Sequence, residues 1–265
     1  MLYTSPVTTP GSSCPSELRG RRSRERGADD PRNLIWLIPA EEVSGMNPSK
    51  EAHAVVVAGG DPWSGPLPRI GPNITEIIAA DSGVDLAIEL GLAVSAVIGD
   101  MDSASPEALA EAERHGARIE RHPEDKDATD LELAMDLACA NGAGAIVVLG
   151  GAGGRMSHLL GIAALLAGEK YAHVRISWLL PTAEIHIVNR THPVTLDGAV
   201  GDLVSLIPIG CDAEGITSTG LRWVLAGEML SSAATRGISN VLVADCAEIH
   251  VTAGTILVVH EGPQL

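Results

Sequence analysis

The sequence contains no phenylalanine, and aromatic residues occupy only 2% of its 265 positions. A core without Phe must be assembled from Val, Ile, Leu and Ala, which suits a buried parallel sheet flanked by Ala-rich helices. Basic residues are scarce as well: 18 Lys and Arg stand against 34 Asp and Glu, for a formal charge of −16. This excess argues against a nucleic-acid-binding surface, because neutralising a phosphate backbone needs clustered cations. It also implies that a bound nucleotide would need a metal ion. The cysteines Cys14, Cys139, Cys211 and Cys246 are far apart and form no Cys-x-x-Cys spacing. Neither a zinc site nor a disulfide framework is indicated, and the thiols read as incidental in a reducing compartment. No apolar run approaches the roughly 18 residues of a membrane span. The arginines between Arg19 and Arg26 are not followed directly by the long apolar stretch of a secretory signal. A cytoplasmic protein without membrane contact is expected.

What the chain does have is 45% hydrophobic content, enough for one large core or two modest ones. Residues 1–50 are rich in Ser, Pro, Gly and Arg, with one short apolar patch at Leu34–Ile38. They are expected to form a disordered extension, and Met46 lies near its end as an alternative start. From Ala54 onward, short β-branched runs alternate with stretches rich in Ala, Leu and Glu. AVVVAGG (54–60), AVIGD (96–100) and AIVVLGG (145–151) read as strands; residues 85–92, 105–117, 130–142 and the stretch up to about 168 read as helices. Ser105, Pro106 and Gly116 supply an N-cap, a first helical position and a stop. After WLLP (178–181) the helical pattern ends and short alternating segments follow, at 184–190, 202–210, 248–254 and 255–261. The expected architecture is an α/β parallel-sheet domain over residues 51–181 followed by a small antiparallel β-sandwich or barrel over 182–265.

The chemistry-bearing residues cluster at strand ends. Ligands of open parallel sheets bind outside the carboxyl ends of the strands. GDMDS (99–103) follows such a strand, and in an extended tail Asp100 and Asp102 point the same way, so both carboxylates can reach one hard cation. A lone Asp-x-Asp is weak evidence, because Asp and Ser also make turns and caps. KDATD (126–130) spans the start of the next helix, where Asp127 is expected to serve in part as the cap while Thr129 and Asp130 face the same sheet edge. Three carboxylates gathered there repel one another unless a divalent cation neutralises them. Two glycine-rich loops, AGGDP (58–62) and GGAGGRMSH (150–158), place backbone N–H groups near a phosphate, although neither completes a GxGxxG or Walker sequence. Arg155 can clamp phosphoryl oxygens or form a surface ion pair, and His158 can bind or simply cap its helix.

Taken in order, ADSG (80–83), GDMDS, KDATD, GGRMSH (153–158), TSTGLRW (217–223) and GISN (237–240) resemble the motif series of thiamine pyrophosphokinases, across about residues 54–260. The resemblance implies an α/β nucleotide domain and a β-rich thiamine domain, assembled as a homodimer with active sites at the subunit interface. It implies Mg²⁺ as cofactor, ATP and thiamine as substrates, and transfer of diphosphate to the thiamine hydroxyl with release of AMP. By the same resemblance Asp100, Asp102 and Asp130 are the metal ligands. Asp81, Ser82, Gly83, Thr129, Gly153, Gly154 and His158 fall on the nucleotide side, and Arg155 contacts phosphate. Ser218, Thr219, Trp223, Ser239 and Asn240 fall on the thiamine side, with the indole stacked on the cationic vitamin. Asp127 or Asp130 would orient the hydroxyl or accept its proton. Ser157 stands where many relatives carry Asp, so any acid–base role of that Asp has no carrier here. A pterin alcohol as acceptor, or a nucleotide-binding scaffold without catalysis, are the alternative functions.

Overall fold

The computed structural model describes residues 53–65 and 73–262. The extension expected over 1–50, with its apolar patch, its arginines and Met46, lies outside the described residues.

The chain opens with β1 (His53–Ala58), β2 (Ile74–Ala80), α1 (Gly83–Glu89), β3 (Ala96–Gly99), α2 (Pro106–Arg114), β4 (Arg118–Arg121), α3 (Asp130–Ala140), β5 (Ala145–Gly150), α4 (Met156–Leu166) and β6 (Arg175–Leu179). These six strands are parallel, in the order β4-β3-β2-β1-β5-β6. β1 shows why the apolar run forms a central strand. Ala54, Val56 and Ala58 enter a core shared with α3 and α4, while Val55 and Val57 enter a second core shared with α1 and α2. Both faces are covered, so each side chain is buried; a fully buried Val contributes roughly 1.5–3 kcal/mol. Large aromatics are few, and one of them, Trp178 on β6, is 1% exposed with its indole N–H donating to the Gly150 carbonyl at 2.7 Å. Helix α2 starts and stops as its sequence indicates. Ser105 Oγ accepts from Ala108 N at 3.2 Å, Pro106 opens the first turn, and Gly116 follows the helix at φ 91°.

The remaining strands are β7 (Ala183–Val188), β8 (Val194–Asp197), β9 (Leu203–Pro208), β10 (Ala213–Ser218), β11 (Ala226–Leu230), β12 (Asn240–Val241), β13 (Cys246–His250) and β14 (Ile256–Glu261). Four of these eight do not leave the first sheet. β7 pairs antiparallel with β6, and β14, β9 and β12 add on beyond it, giving one ten-stranded sheet in the order β12-β9-β14-β7-β6-β5-β1-β2-β3-β4. The other four form a separate antiparallel sheet, β11-β10-β13-β8. A third core of Val188, Val204, Leu206, Ile216, Ile249 and Val258 fills the space between the two layers. The β-sandwich therefore borrows one of its layers from the sheet that carries the parallel domain. The alternation of β7 makes this possible: Ile185 and Ile187 face the helices, and Val188 faces the second sheet. Among the described residues no helix is long and apolar enough to cross a membrane. Among the described residues Cys139, Cys211 and Cys246 form no disulfide.

Candidate active site

β2 and β3 are parallel neighbours, and their carboxyl ends bring the acidic residues together. Asp81 follows β2, and its backbone N–H donates to the Ile98 carbonyl of β3 at 2.9 Å. Asp100 and Asp102 follow β3. Carboxylate oxygens of Asp81, Asp100 and Asp102 all lie within 4.8 Å of one another. The two carboxylates of GDMDS converge by a different route from the extended tail expected of them. Met101 has φ 65° and is buried in the α1/α2 core, so the chain turns between the two Asp residues. The turn is closed by Asp102 N, which donates to Asp100 Oδ1 at 3.3 Å. Asp81 is also left-handed, at φ 45°. Strained backbone of this kind persists only where the surroundings fix it, and it gathers at functional sites.

The electrostatics of the cluster follow from this crowding. Asp81 Oδ1 is buried and has no hydrogen-bond partner. Burial pushes the Asp81 carboxyl above its ordinary range; a hydrogen bond from the Ser82 backbone opposes this, and Asp102, Asp130 and Asp100 push it further up. Asp100 is held low, chiefly by its hydrogen bond from Lys126. Lys126 Nζ lies 3.0 Å from Asp100 Oδ2 and 3.0 Å from Asp130 Oδ1. Burial opposes the lysine charge, but Asp130 and Asp100 outweigh it and raise the ammonium's pKa. Asp130 thus sits beside the cluster with Lys126 between it and Asp100. Gly99 makes the assembly possible. A Cβ there would lie 3.0 Å from the Asp130 carboxyl carbon and 3.2 Å from Asp81 Cβ.

Helix α3 starts differently from expectation. Its N-cap is Thr129, whose Oγ1 accepts from Glu132 N at 3.3 Å, and Asp127 lies exposed outside the helix. Thr-x-x-Glu has the capping spacing, so Thr129 wins the position. The Glu132 side chain turns away to Lys170, at 2.9 Å.

The two glycine-rich loops meet. Gly151 N donates to the Gly59 carbonyl at 3.1 Å, and Asp61 N to the Ala152 carbonyl at 2.9 Å. A Cβ on Gly59 would fall 2.0 Å from Ser82 Oγ, and one on Gly153 would fall 2.0 Å from the Asp61 carboxylate. Gly83 starts α1 hard against β1, where a Cβ would meet the Val57 carbonyl at 2.0 Å. A cleft of about 320 Å³ lined by Gly60, Asp61, Ser82, Asp85 and Ser103 opens beside the first loop, with Ser82 and Ser103 next in sequence to Asp81 and Asp102 of the acidic cluster. Ser103 Oγ donates to Asp102 Oδ1 at 2.8 Å. Gly154, Arg155 and His158 are exposed at the start of α4, where the guanidinium contacts the His158 ring.

The residues expected on the thiamine side form a second group. Trp223 is 57% exposed, with the Arg222 guanidinium 5.2 Å from the indole centroid. Asn240 is buried and spends its amide on Trp223. Oδ1 accepts from Trp223 N at 3.1 Å and Nδ2 donates to the Trp223 carbonyl at 2.8 Å. Ser218 Oγ is buried and accepts from Leu225 N at 3.0 Å, so it shapes the 219–224 loop from within. Thr219 is exposed, and its Oγ1 accepts from Glu248 N at 3.4 Å. Ser239 is exposed at φ 60°, with its N–H donating to Ser205 Oγ at 3.0 Å.

Two features went unnoticed in the sequence: the part of Asp81 in the carboxylate cluster and that of Lys126 beside it. Lys126 opens the KDATD motif, and a lysine four residues before an Asp at a helix start was a usable signal.

The chain matches two family profiles in succession: "Thiamin pyrophosphokinase, catalytic domain" over residues 70–177 and "Thiamin pyrophosphokinase, vitamin B1 binding domain" over 185–256. It is similar to thiamine pyrophosphokinase 1 of Oryza sativa subsp. japonica, 31% identical over 160 residues, which is 57% of this chain and 60% of that protein. It is also similar to thiamine pyrophosphokinase 3 of the same plant, 28% identical over 169 residues, covering 60% of this chain and 62% of the relative. The match therefore spans less than two thirds of the length of these two relatives. The fold is shared with the crystal structure of thiamine pyrophosphokinase from Bacillus subtilis, at TM-score 0.68 and 24% identity, over 80% of this chain and 100% of that one. With both profiles matched in order, the chain belongs to the thiamine pyrophosphokinase family.

Proposed function

We propose that the protein is a thiamine diphosphokinase, transferring diphosphate from MgATP to the hydroxyl of thiamine to give thiamine diphosphate and AMP. The observation that carries this reading is the convergence of Asp81, Asp100 and Asp102 at the carboxyl ends of adjacent parallel strands, in a chain that matches the catalytic and vitamin-binding profiles of the family. The carboxylates fit Mg²⁺: they are hard oxygen donors, and the buried Asp81 Oδ1 has no hydrogen-bond partner. Asp81, Asp100 and Asp102 would hold the ion, with Asp130 alongside. When bound there, Mg²⁺ supplies neutralisation of phosphate charge and polarisation of a phosphoryl oxygen.

The chain's own groups do the positioning. Glycine-rich loops after β1 and β5 let phosphate approach the backbone, and Arg155 adds a cation at the start of α4. The hydroxyl attacks the β-phosphorus, so the rate depends on alignment and charge stabilisation more than on covalent help from the protein. Trp223 is read as the wall for thiamine's cationic ring. We take residues 51–181 as the nucleotide unit and 182–265 as the thiamine unit.

A homodimer in the cytoplasm belongs to the same reading. Trp223 is held to β12 at one edge of the ten-stranded sheet, and Asp100 follows β3 near the other. The two strands are eight steps apart in that order, or about 38 Å along the sheet at roughly 4.8 Å per strand. An indole so far from the carboxylates of its own chain supports a site completed by a second copy. Val224, Met229, Ile238 and Val243, in the same part of the chain as Trp223, are exposed apolar residues, and so, elsewhere on the surface, are Met156 and Leu160 of α4.

The test is AMP formation from ATP and Mg²⁺ with thiamine, with a pterin alcohol, and with neither. AMP equimolar with thiamine diphosphate, seen with thiamine alone, is the expected result. AMP only with the pterin, or none in any arm, would refute the assignment.

A further inference from the structure

We propose that Lys126 is an intramolecular competitor for the divalent cation, a tethered positive charge that keeps the acidic cluster from binding free metal tightly. This inference rests on the reading of Asp81, Asp100 and Asp102 as a cation site. Lys126 lies between β4 and α3, and its Nζ is 3.0 Å from Asp100 Oδ2, 3.0 Å from Asp130 Oδ1 and 3.1 Å from the Pro123 carbonyl. Its side chain is only 14% exposed. Among the described residues, no other Lys or Arg forms an ion pair with Asp81, Asp100, Asp102 or Asp130.

Asp100 belongs to two groupings at once: the ammonium pair with Lys126 and the carboxylate triad with Asp81 and Asp102. An oxygen occupied by an ammonium is less available to a metal, and a positive charge a few ångströms away repels an incoming divalent ion. The lysine is not held by three well-aligned bonds. Asp130 Oδ1 lies 3.0 Å from Nζ without the alignment of a good hydrogen bond. A lysine ammonium is a compact point charge on a flexible stem, which suits a group that yields its place. The consequence is an order of binding. A free divalent ion must displace Lys126 without help, whereas an ion carried by a polyphosphate brings negative charge that can receive the released ammonium. The cluster then favours the metal–nucleotide complex over the bare metal.

Mn²⁺ titrated calorimetrically into the nucleotide-free full-length protein tests this directly. Lys126→Met should bind Mn²⁺ about tenfold tighter or more than the unaltered protein, and Lys126→Arg should stay close to it. A folded Lys126→Met protein with unchanged or weaker Mn²⁺ affinity overturns the proposal, because a purely structural lysine gives that result. A second measurement needs no variant. The chain has only three lysines, Lys50, Lys126 and Lys170, so amine acetylation followed by peptide mass spectrometry resolves each one. Saturating Mn²⁺ should increase modification of Lys126 severalfold relative to Lys170; no increase overturns the proposal even if Lys126→Met does not fold. Neither readout involves thiamine or ATP turnover. A protein that shows the Mn²⁺ effects but forms no thiamine diphosphate contradicts the proposed reaction and leaves the competition intact.

Discussion

The side-chain amide of Asn240 grips both backbone polar groups of Trp223, accepting from its N–H at 3.1 Å and donating to its carbonyl at 2.8 Å. The same Oδ1 also accepts from Val241 N at 2.9 Å. A buried residue on β12 therefore sets the attitude of an exposed indole 17 positions earlier in the chain. Asn240→Ala would leave three backbone groups without this partner, at a cost of about 1–3 kcal/mol for each buried group left unpaired. We expect a lower thermal midpoint together with a higher KM for thiamine and an unchanged KM for ATP. A variant that loses both affinities equally would detach Asn240 from the thiamine side.

Trp223 itself should behave in the opposite way for stability. Its side chain is more than half exposed, so Trp223→Ala is expected to change stability by no more than about 0.5 kcal/mol. Loss of a desolvated cation–π contact is worth roughly 1–2 kcal/mol, or about five- to thirtyfold in thiamine affinity. Trp223→Phe should recover much of that loss. Steady-state kinetics with each substrate varied in turn, alongside a melting curve, decides the matter. An alanine variant that melts many degrees lower would place the indole in a packing role.

Gly99 is the point where substitution should damage the acidic cluster without touching a carboxylate. An added Cβ at φ 150° would crowd Asp130 and Asp81 at 3.0 and 3.2 Å and force them apart. Gly99→Ala is expected to weaken Mn²⁺ binding by roughly tenfold, as changes behind metal ligands commonly do. Equilibrium dialysis would show this, and wild-type affinity in the variant would mean that the cluster adapts at no cost.

An alkaline limb of the stability profile should come from the junction between α3 and the turn at Glu169–Tyr171. Lys170 is raised above the ordinary lysine range, first by Asp136 and then by Glu132. Tyr171 is raised by burial and then by its hydrogen bond to Asp136 at 2.8 Å. The folded chain thus holds both protons more tightly than the unfolded chain, whose groups titrate at about 10.4 and 10. This contribution is complete below about pH 10 and is lost as pH rises through the higher folded values. The lysine part is screened, since that side chain is 51% exposed. Tyr171→Phe should lower stability by about 1 kcal/mol at pH 8 and flatten the decline above pH 10 in urea titrations. A mutant profile parallel to that of the unaltered protein would refute the assignment.

Local structure was legible in the residues themselves wherever one short segment carries its own cause. Ser105, Pro106 and Gly116 delimit α2, because capping and φ preference act within a single turn. The Ala/Val run of β1 announces a strand buried on both faces, and Asp100 and Asp102 announce a strand-end carboxylate pair. What only the tertiary structure decided is which segments are neighbours. Hydrophobic periodicity reports which side of an element is apolar and is silent about the element that will cover it. Asp81 joins the cluster because β2 pairs with β3. Lys126 meets Asp100 because α3 packs beneath those strands. β7, β9, β12 and β14 continue the first sheet because the backbone N–H and C=O groups along the β6 edge find their partners in β7, which only the tertiary fold brings there. The left-handed turn at Met101 likewise escaped the local pattern: burial of that side chain in the α1/α2 core, a long-range contact, offsets the cost of a positive φ.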